Sequence, residues 1–377
     1  MLSKIYTFAN RLQIIRAVAI YTHKNINDLT KHIPDNSGIF VIIDKHLSSY
    51  FPLFNGLPLI KIKATEQNKS LETVSAITDR LLKLGADRDC FIIGVGGGIT
   101  TDITGFVASV YKRGVRFGFV PTTLLAQADA ALGGKNGVNF DNYKNIIGNI
   151  NQPAWVYETP IFFATLPPRV FREGISEVLK TFLIFDAEYY KKSVDFFSSY
   201  NAKKQDDKSL AMLSDILGKC GFYKTSVVDK DEFERGERRK LNFGHTFAHA
   251  IEKYFNSIDA KAIAAALAQK NYKQLEPTYM HGEAVSIGIV MAAMISNAAG
   301  KCSEEYVEML KKDFKRVGLP VECDVQLNKL LKAIKYDKKV SGHKIHFIMP
   351  YEAGRVEDEL ITLNELYKLA KKAEGVE

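Results

Sequence analysis

The sequence predicts an α/β N-terminal nucleotide-binding domain followed by a mostly α-helical C-terminal domain. Three observations predict it. Short apolar runs alternate with helical patterns up to about residue 165, a glycine-rich turn directly follows one of these runs, and from Pro168 onward the periodicity is mostly helical. The expected domains are residues 1–167 and 168–377.

In chain order, Gly38 to Ile43 (GIFVII) reads as a buried strand ending at Asp44. Ser70 to Leu84 reads as an amphipathic helix, with Leu71, Val74, Ile77, Leu81 and Leu84 at helical spacing. Cys90 to Val95 (CFIIGV) is a second apolar strand running into glycines, and Phe117 to Val120 a third, stopped by Pro121. Strands alternating with helices imply a parallel sheet covered on both faces. The second part carries long helical runs at Val170–Phe185, Phe243–Tyr254 and Glu283–Ala299. The Ala- and Lys-rich stretch Ser257–Thr278 reads as a peripheral helical insertion, and Lys344–Met349 with Gly354–Asp358 as a hairpin or a strand and turn.

With 377 residues, the chain is long enough to bury a large core in two domains. The net charge of +8 favours anionic ligands, but the basic residues are spread along the chain with no aromatic-interleaved cluster. A small anionic substrate fits that pattern and nucleic acid does not. Cys90, Cys220, Cys302 and Cys323 are scattered without a CxxC pair, which points to reduced thiols and a cytoplasmic location. Arg11 and Arg16 break the N-terminal apolar stretch, and no small-residue cleavage site follows, so no signal peptide is expected. The uncharged run from Ala284 to Gly300 contains Ser286 and Asn297 and reads as a buried helix, so no membrane partner is expected.

Two groups of residues carry chemistry. The first is Gly94-Val95-Gly96-Gly97-Gly98-Ile99-Thr100-Thr101-Asp102, a strand-to-helix turn whose glycines would let a pyrophosphate approach the backbone at a helix N-terminus. It does not match GxGxxG in register, and by itself it is only moderately specific, a purely structural strand-to-helix turn being the lesser alternative. The second is histidine-based. His245 and His249 lie one helical turn apart, His281 opens the next helical segment, and Glu177 lies in the helix ISEVLK. Two histidines on one face plus a carboxylate is a common catalytic zinc set, and spacing alone would enlist both His245 and His249.

The blocks GVGGGITTDITGF, YKRGVRFGFVPTTLLAQADAALGGKNGVN, KNIIGNINQP, LPPRVFREGISEVLKTFLI, RRKLNFGHTFAHAIE, HGEAVSIGIVMA and YDKKVSGHKIHFIMP occur in this order from Asp44 to about Pro350. Together they resemble the dehydroquinate synthase family of NAD-dependent sugar-phosphate cyclases. The resemblance implies a dehydroquinate synthase-like fold, NAD, and zinc or cobalt held by Glu177, His245 and His281, with His249 left beside the metal as a catalytic residue. It implies Lys135, Lys180, Lys224, His249 and Asp129 around the reacting ring. Lys144, Asn145, Arg238, Asn242 and one of Lys338 or Lys339 would hold substrate oxygens, and Arg113 would reach a neighbouring subunit's site in a homodimer. For the cofactor it implies Asp44 at the adenosine ribose, Glu66 and Lys69 nearby, Gly97, Gly98 and Asp102 at the phosphates, and Thr122 and Thr123 at the nicotinamide side. A carboxylate at the ribose favours NAD over NADP.

The implied reaction converts 3-deoxy-arabino-heptulosonate 7-phosphate, a small sugar-acid phosphate, to 3-dehydroquinate and phosphate. It is a phosphate-eliminating lyase reaction of the shikimate pathway. Departures from the family pattern are Ala126, Ala128, Tyr143, Ala248 and a long Ser257–Thr278 segment, none of which removes a charged site residue. The rival readings are a sibling cyclase of the aminodehydroquinate, valiolone or deoxyinosose type, an NAD-dependent polyol dehydrogenase, and a non-catalytic binding protein on the same fold.

Overall fold

The computed structural model describes residues 19–22, 29, 31–32, 38–141, 143–268, 277–334, 340–341 and 343–375. Lys338, Lys339 and residues 269–276 of the expected insertion lie outside them. The chain packs as two compact units, one made of Met1–Gly174 with Asn201–Phe233 and the other of Ile175–Tyr200 with Glu234–Glu377.

The first unit is built on a six-stranded sheet containing β1 (Ala19–Thr22), β2 (Ile39–Asp44), β3 (Leu59–Ile62), β4 (Phe91–Gly96), β5 (Arg116–Pro121) and β8 (Trp155–Glu158). All pairings are parallel, in the order β1-β8-β5-β4-β2-β3. Parallel strands covered on both faces read as continuous apolar runs, and every residue of β4 is buried. Helix α1 (Leu71–Lys83) is capped by the Ser70 hydroxyl, which accepts from Thr73 N–H, and buries Val74, Ile77 and Leu81. Helix α2 (Gly98–Val110) follows β4 with only Gly97 between them.

Sequence order and spatial order diverge at the centre of this sheet, since β3 lies on one side of β2 and β4 on the other. The C-terminal ends of the strands at such a reversal are where open α/β sheets bind ligands. Asp44 ends β2 and the glycine turn ends β4. A separate antiparallel pair, β6 (Lys135–Phe140) and β7 (Tyr143–Ile150), leaves Phe140, Tyr143 and Ile146 exposed. After α3 (Pro168–Phe185) and α4 (Ala187–Phe197), helix α5 (Asp207–Lys230) belongs to this first unit and buries Leu213, Ile216, Leu217 and Cys220.

The second unit is mostly helical. It holds α6 (His245–Ala268), α7 (His281–Ala298), α8 (Glu304–Arg316), α9 (Leu327–Ile334) and α10 (Leu363–Ala373). A small sheet made of β9 (Val340–Ser341), β10 (Lys344–Glu352) and β11 (Arg355–Thr362) completes it. The last two strands form an antiparallel hairpin. The helix expected at Phe243–Tyr254 starts at His245, because Gly244 takes a left-handed φ of 79° and ends the preceding turn. It runs on to Ala268, so the first part of the expected insertion continues α6. The uncharged run is the core helix α7, with twelve of its residues buried. Among the described residues no helix is long and apolar enough to cross a membrane.

Candidate active site

In the first unit, the glycine turn brings α2 hard against β4. A Cβ on Gly94 would sit 2.7 Å from Thr104 Oγ1, and one on Gly96 would sit 2.3 Å from Thr100 Oγ1. Only glycine permits that approach. Gly97 caps α2 without any side-chain hydrogen bond, so the first backbone N–H groups and the positive end of the helix dipole are left for a ligand. Thr122 and Thr123 follow β5 beside this turn, and a Cβ on Gly97 would lie 3.1 Å from Thr123 Cγ2.

Asp102 lies in the first turns of α2, where burial raises its carboxyl pKa and the Lys69 ammonium opposes the rise. Lys69 is 5% exposed and is bonded to both Asp102 and Asn145. Asn145 itself has a left-handed φ of 55°, and its N–H donates to Asn139 Oδ1 at 2.9 Å. Asn139 in turn donates to Glu66 Oε1 at 2.8 Å. Glu66, Lys69, Asp102 and Asn145 are therefore one hydrogen-bonded group, with Asn139 as a member that sequence reasoning missed. Its signal was weak: the second of two asparagines inside NGVNF. Asp44 accepts from His46 N–H at 3.1 Å and stands at the end of β2. Lys135 and Lys144 lie exposed on the β6–β7 ribbon.

A second group in this unit joins α5 to the turn at Ala126–Ala130, which forms one π-helical turn. Lys224, 7% exposed, donates to the Asp129 backbone carbonyl at 2.5 Å and to Asp129 Oδ1 at 2.7 Å. Arg113 is exposed in a turn where Lys112 and Arg113 take positive φ values of 47° and 69°. Two consecutive non-glycine residues in that region store strain and hold the turn outward.

In the second unit, Glu177 on α3, His245 at the start of α6 and His281 at the start of α7 converge. One ligand atom from each lies within 4.8 Å of the others. Glu177 is fully buried, and His245 Nε2 and His281 Nε2 lie 3.8 Å and 3.5 Å from its Oε1. Lys180 Nζ, 2.5 Å from Oε2, forms an ion pair within the same helix, while Oε1 faces the two imidazoles without a hydrogen bond. A carboxylate stripped of water without hydrogen bonds is costly unless a cation completes it.

The opposite ring nitrogens are also engaged. His245 Nδ1 is 3.2 Å from the Phe243 carbonyl, and His281 Nδ1 is 3.4 Å from Glu252 Oε1. Such outer partners orient metal-binding imidazoles. Burial alone would lower the His281 pKa, but the Glu252 and Glu177 carboxylates outweigh it and raise it to about 10. Glu252 was another omission of sequence reasoning, although it lies on the helix of His245 and His249 at helical spacing. His249 packs edge-on to His245, with ring centroids 5.5 Å apart, and lies outside the three-residue group.

A close approach of two helices fixes this geometry. A Cβ on Gly288 of α7 would stand 2.1 Å from the Gly244 carbonyl, and one on Gly244 would stand 2.6 Å from Ile289 Cγ1. The start of α6, with His245, is thus packed by two glycines against α7 two turns beyond His281. The segment before α6 carries Arg238, buried at 2% exposure, and Asn242, which donates to Glu234.

The residues match the model of the 3-dehydroquinate synthase N-terminal region over 59–173 and that of the C-terminal region over 174–340. The 3-dehydroquinate synthase of Acetivibrio thermocellus is 38% identical over 290 residues, covering 77% of this chain and 74% of that protein. That of Leptospira interrogans is 33% identical over 350 residues, covering 90% of each. Among solved structures, a 2-epi-5-epi-valiolone synthase from Streptomyces hygroscopicus with NAD+ and Zn2+ bound superimposes with a TM-score of 0.80 at 23% identity, covering 98% of this chain and 99% of that one. A 2-deoxy-scyllo-inosose synthase complexed with carbaglucose-6-phosphate, NAD+ and Co2+ gives 0.77, also at 23% identity and with the same coverage. These two show the fold, and the sequence matches show the family: the chain belongs to the 3-dehydroquinate synthase family.

Proposed function

We infer that the chain converts 3-deoxy-arabino-heptulosonate 7-phosphate to 3-dehydroquinate and phosphate. The observation that carries this reading, within a chain of this family, is the convergence of the buried Glu177 carboxylate with the imidazoles of His245 and His281. That donor set, one carboxylate and two histidines, suits zinc or cobalt and leaves coordination positions for substrate hydroxyls. Glu177, His245 and His281 would hold the metal, and His249 would stand beside it. The uncapped start of α2, with Gly97, Gly98 and Asp102, suits the pyrophosphate of NAD, while Asp44, Glu66, Lys69, Thr122 and Thr123 would complete that site.

When bound, NAD supplies reversible hydride transfer at the substrate's C5, and the metal supplies polarisation of the neighbouring hydroxyls. Around that chemistry the substrate would lose phosphate and then close by ring opening and an internal aldol step. The protein's own part is to position groups and stabilise charge. Lys224 is held by Asp129, so its ammonium keeps a fixed place for the substrate carboxylate. Lys135, Lys144, Lys180, Asn145, Arg238, Asn242 and Lys338 or Lys339 would supply the remaining polar contacts. Several cations are needed because one lysine is a point charge of limited reach. Since NAD is regenerated in each turnover, the net reaction is a lyase reaction.

The assay is phosphate release from the heptulosonate phosphate with NAD and zinc added, following NADH absorbance in parallel. Phosphate release without net NADH supports the reading, whereas net NADH accumulation identifies a polyol dehydrogenase instead. No phosphate release from folded, zinc-loaded protein sinks it in favour of the sibling substrates. We also propose a cytoplasmic homodimer in which Arg113 serves the partner's site. The outward Arg113 turn supports it, and light scattering tests it, a monomeric mass counting against it.

A further inference from the structure

Three adjacent cations, Arg238, Arg239 and Lys240, occupy the 3-10 turn Glu237–Asn242 just ahead of α6. Only Arg238 is buried. The other two reach the C-terminal hairpin. Arg239 Nη1 lies 3.6 Å from Asp358 Oδ2, and Lys240 Nζ lies 3.2 Å from Glu357 Oε2 and 3.2 Å from Glu237 Oε2. Asp358 is itself held from across the hairpin, with His346 Nδ1 at 2.9 Å from its Oδ1. Its side chain is 17% exposed, as is that of Lys240, so one member of each pair is shielded, while Arg239 is half-buried and Glu357 faces solvent. Burial would lower the Lys240 pKa, but its two carboxylate partners raise it, so the ammonium stays charged. The far end of the turn is pinned separately, by the wholly buried Phe243 and by Gly244 against α7.

A run of Arg-Arg-Lys does not by itself decide which cation faces inward. One residue of slip in a 3-10 turn rotates the side chains by about 120° and would present Arg239 in place of Arg238. It would also carry Asn242 away from its place. We propose that Asp358 and Glu357 are positioning residues for the substrate's anionic end. By binding Arg239 and Lys240 they sort the three cations, fix the register of the turn, and set Arg238 and Asn242 toward the substrate. This rests on the reading of Arg238 and Asn242 as substrate-binding residues.

The test uses the full-length, zinc-loaded protein with saturating NAD. Asp358→Asn combined with Glu357→Gln should raise KM for the heptulosonate phosphate about tenfold, since small misplacements of binding groups are felt strongly. Its kcat should change less than about threefold and KM for NAD should stay the same, a split that general loss of structure would not give. Exchanging the pair, Lys240→Glu with Glu357→Lys, in a Glu237→Gln background that removes the other carboxylate beside position 240, should return KM to within about threefold of that background while Glu357→Lys alone does not. An unchanged KM in the double variant, with Arg238→Ala still raising it, overturns the sorting role and leaves the substrate reading intact. An unchanged KM in Arg238→Ala removes the substrate role of Arg238 and the proposal with it. Failure of the exchanged pair to recover overturns the proposed partnership.

Discussion

Replacing Gly288 by alanine should weaken zinc binding while leaving the protein folded. The added Cβ would meet the Gly244 carbonyl at 2.1 Å and Ala248 N at 3.0 Å, both backbone atoms with no rotamer to yield. Restoring an ordinary contact of 3.4 Å requires α6 and α7 to separate by about 1.3 Å at this level. His245 and His281 open those two helices, and metal–ligand distances tolerate only about 0.2 Å of error. Zinc affinity should therefore fall by at least about a hundredfold. Overpacking costs about 1–3 kcal/mol, and alanine in place of glycine in a helix interior returns about 1 kcal/mol, so the net loss of stability is small. Competition against a chromophoric chelator gives the affinity, and chemical denaturation of the metal-free protein gives the stability. Gly218→Ala in α5 is the matched control, because its Cβ would meet nothing within 4 Å. It should stabilise by about 0.5–1 kcal/mol with zinc affinity unchanged. A Gly288→Ala protein that binds zinc as tightly as the parent would refute the reasoning.

Glu252→Gln should weaken zinc about 10- to 100-fold through the lost anchor on His281 Nδ1, read in the same competition. Lys180→Met should destabilise the metal-free protein in denaturant titrations by less than the roughly 3–5 kcal/mol of a fully unpaired buried charge, because protonated His281 still faces Glu177 Oε1 when Oε2 loses its lysine; zinc should recover a large part of that loss, and an unchanged midpoint would contradict the account. Chelating the metal should stop phosphate release with little change in far-ultraviolet circular dichroism, and zinc should restore it. Lys224→Ala should lower turnover by about 10²–10⁴-fold in the phosphate assay, while a variant retaining more than half its rate would remove Lys224 from the chemistry.

Parts of this molecule were legible from sequence because local chemistry dictates them. The run CFIIGVGGGITTD could hardly be other than a buried strand turning into a helix, and it became β4 and α2. The uncharged run that forms most of α7 was equally plain. The β6–β7 ribbon was not, because β7 is exposed along most of its length and lacks the alternation that a half-buried strand shows. Strand β3 has only four residues, too few to establish a period. At the site, HxxxH spacing pointed to His245 and His249, whereas His245 groups with Glu177 and His281 from two other helices. A periodicity argument sees one helix at a time and cannot tell which neighbour approaches it. Asn139 and Glu252 escaped for a related reason: each acts through a bond to a residue distant in sequence or on another helix.

The membership of α5 bears on how the protein is made. The first unit takes its last segment, residues 201–233, after the chain has already contributed residues 175–200 to the second. During synthesis, then, the six-stranded sheet emerges before the helix that brings Lys224 to Asp129. Until residue 233 clears the ribosome, the surface awaiting Leu213, Ile216, Leu217 and Cys220 stays uncovered. A nascent chain stalled near residue 200 should recruit holdase chaperones and be cut readily by proteases, whereas one stalled some tens of residues past 233 should already protect its first unit.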